Sequence, residues 1–144
     1  MARKDATPVG RSIGEPFVLT ARIAGTSNAT HTAVLATKQA PTGTAFRVAD
    51  AWWYTRVKRT GGTPVATVQL LKGDGAASEA FTAVSPAADA HAATVDAPVR
   101  WATIADGQDE VAGTGQTLKV DLVVSGGTTG QHDLDVYVLC IPVE

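Results

Sequence analysis

The sequence predicts an all-β protein, in which residues 17–144 form a single antiparallel β-sandwich of jelly-roll-like type and residues 1–16 form an extended N-terminal arm. The chain of 144 residues contains 19 Thr and 17 Val, and β-branched residues favour strands over helices. Several runs alternate apolar and polar residues, which is the period of a strand with one buried face. Short turns rich in Gly, Pro and Thr separate these runs, as in sandwiches and jelly rolls.

The arm is predicted because its apolar residues do not recur at the spacing of a strand or of a helix. Residues 1–16 contain two prolines and two glycines among charged side chains, with Val9 and Ile13 as the main apolar residues. So little apolar surface cannot offset the entropy cost of ordering the segment. We therefore expect an extended arm that becomes ordered only where a neighbouring surface holds it.

The first half of the domain contains four predicted strands. Their ranges are 17–23, 31–38, 45–59 and 65–72, separated by turns at 25–28, 40–43 and 61–64. The third range is long for one strand, so we predict a bulge or bend at residues 49–51.

The segment from residue 76 to residue 98 is less regular. It is rich in alanine but contains prolines, so we predict only a short strand or helical turn near residues 79–84, followed by a loop. A further short turn is predicted at residues 107–111, with Asp106 as its N-cap.

The end of the chain is typical of a β-hairpin. In residues 117–125 and 133–143, apolar and polar residues alternate. The five residues 126–130 that separate these runs are all Gly or Thr. This pattern predicts two antiparallel neighbours joined by a short loop.

The residues that usually perform catalysis do not form a recognisable set. There is no Gly-x-Ser-x-Gly motif, and His31, His91 and His132 have no spacing typical of a triad or a zinc site. Cys140 lies in the final predicted strand, where we expect a small buried apolar side chain. The sequence therefore predicts no enzyme and no cofactor.

Acidic residues give no stronger signal for a metal site. Asp133 and Asp135 share one face of a predicted strand and are the best placed pair for a cation. No segment matches the twelve-residue calcium loop, and hard cations need six to eight oxygen ligands. We predict solvated carboxylates and no metal site.

Composition excludes several further classes. The net charge of −2 and the pI of about 5.9 argue against a nucleic-acid partner. No window of 18 consecutive apolar residues is present, so no membrane span is expected. The first charged residues are not followed by an apolar run, and a single cysteine cannot form an internal disulfide. We expect synthesis in a reducing cytoplasm.

The two halves of the chain differ in charge. Residues 1–60 contain nine basic and three acidic residues, whereas residues 61–144 contain three basic and eleven acidic ones. The simpler interpretation is that the charges mix when strands from both halves interleave. The alternative is a molecule with a basic and an acidic face, suited to contacts between copies of itself.

The most distinctive local pattern is the segment WWYTRVKR at residues 52–59. On a strand, Trp52, Tyr54, Arg56 and Lys58 share one face and Trp53 lies on the other. One tryptophan should therefore enter the core while the other packs under a loop or against a partner. Interfaces between subunits favour such residues, and stacking of a sugar or a base is the weaker alternative.

Several segments resemble small virion proteins of tailed bacteriophages, of the capsid decoration (cement) and head-fibre type. They are FRVADAW (46–52), TIAD (103–106), GQTLKV (115–120) and DVYVLCIP (135–142), within a strand order that covers residues 17–144. The resemblance implies a jelly-roll-like domain, a homotrimer seated on the capsid surface, the major capsid protein as partner, and neither activity nor cofactor. The arm, residues 1–16, would then grip the capsid or a neighbour. The residues expected to make the arm and interface contacts are Arg3, Lys4, Phe17, Trp52, Tyr54, Arg56 and Lys58.

Two other functions remain open at this point. A carbohydrate-binding sandwich, as in an adhesin or head fibre, would use Trp52, Tyr54 or Trp101 to stack a sugar. A tail or neck component would assemble into rings. The leading hypothesis is a decoration protein that binds the assembled head and stabilises contacts between major capsid subunits.

Overall fold

A computed structural model describes residues 15–35, 45–73, 81–105 and 117–143. Within these ranges every regular element is a strand. The nine strands are β1 (Phe17–Gly25), β2 (Thr30–Val34), β3 (Ala45–Val57), β4 (Thr60–Gly73), β5 (Thr82–Ala83), β6 (Ala88–Asp89), β7 (Pro98–Arg100), β8 (Thr117–Thr129) and β9 (His132–Val143).

The strands form two antiparallel sheets packed face to face. The first sheet has the order β1-β9-β3-β7, and the second has the order β2-β8-β4-β5 with β6 also paired to β4. Every ladder between these strands is antiparallel. A four-stranded sheet faces a five-stranded one, and the chain passes repeatedly from one to the other, which is the arrangement of a jelly roll. The predicted all-β sandwich is confirmed.

The core lies between the long central strands β8 and β9. Every second residue of β9, and of β8 from Leu118 to Val124, is buried, because alternate side chains of a strand point to the same face. The buried apolar side chains that these two strands contribute to the core are Leu118, Val120, Leu122, Val124, Leu134, Val136, Val138 and Cys140. Burial raises the pKa of the Cys140 thiol to about 12, so Cys140 is the small buried apolar residue that the sequence predicts.

The predicted hairpin at the end of the chain is wrong. β8 pairs with β2 and β4 in the second sheet, whereas β9 pairs with β1 and β3 in the first. Each of the two strands has a largely apolar face, and both faces are buried when the strands oppose each other across the core instead of lying side by side. The chain therefore crosses between the sheets at residues 130–131.

The predicted turn at residues 61–64 is also wrong, because these residues belong to β4. β3 and β4 lie in different sheets, and the chain passes between them at Lys58 and Arg59. The ladder to β8 continues through Gly62 and shifts register before Val65. A register shift of this kind accommodates Pro64, which has no N–H for a ladder.

Three other local predictions have different outcomes. The bulge in β3 is confirmed, because the consecutive residues Leu139 and Cys140 of β9 pair with Asp50 and Val48, which leaves Ala49 as the extra residue on β3. The short strand expected near residues 79–84 corresponds to β5, whereas β6 and β7 were not predicted. The turn expected at residues 107–111 lies outside the described residues.

Two glycines with positive φ near the end of β8 provide a matched test of how closely β8 packs against β4. Gly126 has φ 70° and Gly130 has φ 77°. A Cβ atom at Gly126 would overlap the backbone carbonyl oxygen of Thr63, whereas a Cβ atom at Gly130 meets no atom within 4 Å. We expect Gly130→Ala to lower the free energy of unfolding by about 1 kcal/mol through backbone strain alone. Gly126→Ala should cost about 1–3 kcal/mol more, because β4 must also move.

Urea denaturation of both variants measures this difference. Equal losses in the two variants would show that β4 and β8 are not packed as closely at Gly126 as the fold requires.

Candidate interaction surface

The alternation of β3 separates the two adjacent tryptophans. The Trp53 side chain is 1% exposed and packs in the core against Trp101, with ring centroids 4.5 Å apart. Trp52 is half-buried on the outer side of the first sheet. The expectation that one tryptophan enters the core is confirmed, and contact of the other with a partner stays a prediction.

Trp52 belongs to an aromatic cluster that spans β3 and β9. It lies directly opposite Tyr137 in the ladder. Their rings stack with centroids 5.8 Å apart and planes 10° from parallel. Tyr54 packs edge-on against the same Tyr137 ring at 5.7 Å. We call the outer side of the first sheet around Trp52, Tyr54, Arg56, Asp135 and Tyr137 the aromatic face.

Two arginines converge on one carboxylate beside this cluster. Arg22 Nε donates to Asp135 Oδ1 at 2.8 Å, and Arg56 Nε donates to Asp135 Oδ2 at 2.7 Å. The hydrogen bond from Arg22, followed by that from Arg56, lowers the pKa of Asp135 although burial opposes the shift. Asp135 is thus ionised and fully paired, so it is not a free ligand for a cation.

Arg56 connects the ion pairs to the aromatic rings. Its guanidinium carbon lies 4.4 Å from the centroid of the Tyr54 ring, and its Nη1 donates to Asp96 at 3.1 Å. These contacts fix a planar guanidinium above a ring, a geometry that stabilises the cation. Arg22 and Arg56 come from the basic half of the chain, and their carboxylate partners come from the acidic half. Within the described residues, the two halves therefore mix their charges, as the simpler interpretation expects.

Arg22 and Arg100 are more exposed than their carboxylate partners, whereas Arg56, at 31%, is less exposed than its second partner Asp96, at 67%. The Arg22 side chain is 71% exposed whereas Asp135 beneath it is 13% exposed. The same holds for Arg100, at 72%, above Asp50, at 26%. A partner approaching this side meets aromatic rings and guanidinium groups, which are the residue types enriched in the energetic centres of protein interfaces.

The structure places the predicted contact residues in three locations. Trp52, Tyr54 and Arg56 lie together on the aromatic face, and Lys58 follows the end of β3. Phe17 is half-buried and packs edge-on against Phe46 at 5.4 Å, so it supports the core at the start of β1. Arg3 and Lys4 lie outside the described residues.

Other candidate sites are limited by burial. The Trp101 side chain is 3% exposed, so it provides no platform for a sugar. Within the described residues, no three metal-ligating side chains lie close enough to hold an ion, and no helix there is long and apolar enough to cross a membrane.

Comparison with known proteins shows that this chain is similar in fold to a chain of a solved structure. No protein-family model and no curated protein sequence matches the chain. A solved structure, described as the capsid asymmetric unit of cyanophage Pam1, contains a chain that is similar over 89% of this chain and 85% of its own length, with a TM-score of 0.52 and 22% identity. The mitogen of Yersinia pseudotuberculosis is similar over 86% of each chain, with a TM-score of 0.42 and 11% identity. The first comparison supports the sandwich fold.

Proposed function

We propose that the chain is a structural protein of a tailed-phage virion, a decoration protein that binds the outside of the assembled head. The observation that carries the virion role is the likeness of fold to a chain of the cyanophage capsid unit over 89% of this chain. The protein is made in the host cytoplasm, acts without a cofactor and has no enzymatic activity. Its partner is the major capsid protein, and it attaches as a homotrimer.

The aromatic face is the surface that makes this attachment. Trp52 and Tyr137 are half-buried, so part of each ring is accessible to a partner. Their stacking and the paired guanidinium of Arg56 fix the side chains before binding. Little side-chain entropy is therefore lost on docking, which favours affinity.

Stabilisation of the head follows from mass action. A protein that binds across the junction between capsid subunits binds the assembled shell and not the separated subunits. The shell is then favoured by an amount that grows with the concentration and affinity of the bound protein. The N-terminal arm, residues 1–16, adds contacts beyond the domain through its basic residues Arg3 and Lys4.

A sedimentation experiment with purified heads that lack the protein tests this proposal. Trp52→Ala should weaken co-sedimentation at least tenfold, because aromatic residues at the centre of an interface contribute about 2 kcal/mol or more. Val123→Ala is the matched control, since Val123 is 43% exposed on the outer side of the second sheet, and it should bind as the wild type does. Equal affinity of the two variants would contradict the assignment of the aromatic face.

Carbohydrate binding is the second candidate, favoured by the nearly parallel rings of Trp52 and Tyr137. A glycan that stacks on these rings would change tryptophan fluorescence on titration. A decoration protein should show no such change with free sugars at millimolar concentration while still binding heads.

A further inference from the structure

One end of the sandwich contains a buried histidine. His132 is the first residue of β9, where it pairs with Gly25 of β1. Its side chain is 0% exposed and has the same alternation as Leu134 and Val136, so it points into the core. This position lies where the chain has just crossed from the second sheet to the first.

The buried ring has no hydrogen-bond partner within the described part of the chain. Both Nδ1 and Nε2 of His132 are buried and unpaired. A neutral imidazole already needs one donor and one acceptor, whereas a protonated imidazole presents two N–H donors and a charge. Burying an unpaired charge costs much more than burying the neutral ring.

The elements around His132 contribute basic side chains. The His91 ring, in the segment after β6, lies 6.1 Å from the His132 ring. Lys58, in the segment between β3 and β4, lowers the pKa of His132, as His91 does. Arg59 follows Lys58 in the chain.

The two nearby carboxylates offer only partial compensation. Asp89 accepts hydrogen bonds from the backbone N–H groups of His91 and Ala92. Asp133 accepts one from the Gln131 side chain. Both carboxylates favour a charged His132, but they contribute less than burial, His91 and Lys58.

Three segments close this end over His132. His91 Nε2 contacts the carbonyl oxygen of Arg59 at 3.2 Å. The Arg59 guanidinium in turn donates to the carbonyl oxygen of Gly130, two residues before His132. The segment that carries His91 is attached to β3 through Thr55 Oγ1, which donates to the Ala90 carbonyl oxygen at 2.9 Å. Each segment therefore contributes a titratable or cationic side chain to one small region.

We propose that this end of the sandwich is an acid-sensitive latch, which opens when His132 takes up a proton and leaves the core. The segments that carry His91 and Lys58–Arg59 then separate from the start of β9. The rest of the domain, including the aromatic face, remains folded at the pH at which the latch first opens.

The direction of the pH dependence follows from the burial of His132. Burial, then His91 and Lys58, lowers the pKa of His132 from 6.5 to about 4. The opened chain, with its ordinary pKa, therefore binds the proton more strongly than the closed one. The latch is fully stable above about pH 6.5 and loses stability as the pH falls from 6.5 towards 4. From pH 7 to pH 4 the equilibrium constant for opening should rise about a hundredfold through this one group.

Hydrogen–deuterium exchange at pH 7.0, 5.5 and 4.5, corrected for the intrinsic exchange rate, tests the proposal on the full chain. Peptides covering residues 58–62, 88–95 and 126–134 should lose protection in acid before peptides from the centre of β3 and β9 do. His132→Phe, which cannot be protonated, should keep these peptides protected at pH 4.5. His31→Gln is the matched control, because His31 lies half-buried on β2, and it should open as the wild type does.

The ring resonances of the wild-type protein provide a second measurement that does not depend on a folded variant. His132 should remain neutral at pH 5.5 while the domain is closed. A charged His132 at pH 6 in a folded domain would overturn the proposal. Parallel loss of protection in the wild type and in His132→Phe would overturn it as well.

Discussion

Trp53→Ala is expected to lower the free energy of unfolding by about 3–5 kcal/mol, the usual cost of removing a large aromatic side chain from a core. Trp53 is the largest fully buried side chain among the described residues, and its ring contacts Trp101 with centroids 4.5 Å apart. The substitution leaves a cavity between the two sheets that neighbouring side chains fill only in part. Guanidinium denaturation followed by far-UV circular dichroism measures the loss.

Trp52→Ala is the matched control for this prediction. The same side chain is lost at the adjacent position, but it is lost from the outer side of the sheet. The expected cost is about 1 kcal/mol, the contribution of the stacking with Tyr137. Equal destabilisation by the two substitutions would contradict the division of the tryptophans between core and surface.

Deletion of residues 2–15 is expected to leave the domain folded and to weaken attachment to heads at least tenfold. β1 begins at Phe17, so the deletion removes no residue of the described strands. The arm contributes Arg3, Lys4 and Arg11, whose charges should make attachment sensitive to salt, since exposed charges are screened over about 8–10 Å at physiological ionic strength. Thermal melting and co-sedimentation at several salt concentrations measure the two effects.

A variant of unchanged length distinguishes the contribution of the charges of the arm to attachment from the contribution of its backbone. Replacing Arg3, Lys4 and Arg11 with glutamine should remove the salt dependence and retain part of the affinity. If the truncated protein binds heads with unchanged affinity at every salt concentration, the arm contributes nothing and the domain alone makes the attachment.

The sequence predicts strands in this protein better than it predicts their partners. The alternation in residues 117–125 and 133–143 identifies β8 and β9 correctly, because an apolar face is a local property of each strand. Whether two such strands lie side by side or face each other depends on the rest of the core. Five Gly and Thr residues between them are compatible with a hairpin loop, yet the chain crosses to the other sheet after Thr129.

The candidate site shows the same division between local and long-range information. That Trp52, Tyr54 and Arg56 share one face follows from the alternation of β3 alone, whereas the structure shows that this face is the outer one. Tyr137 and Asp135 join them only because β9 lies beside β3, with Tyr137 opposite Trp52. Asp135, considered first as one of a pair of cation ligands, instead pairs with arginines from two different strands, and no spacing in the sequence predicts that.

The most direct test of the proposed function is a cryo-electron microscopy reconstruction of heads that carry the bound protein. We expect density for the sandwich on the outer surface of the shell, with β3 and β9 of the first sheet towards the capsid and Trp52 within the contact. Trimeric density at a symmetry position, spanning neighbouring major capsid subunits, is the predicted arrangement. Density that contacts the shell through the outer side of the second sheet, around Val34 and Val123, would contradict the assigned surface. Heads without added density, or density confined to tails, would contradict the decoration function itself.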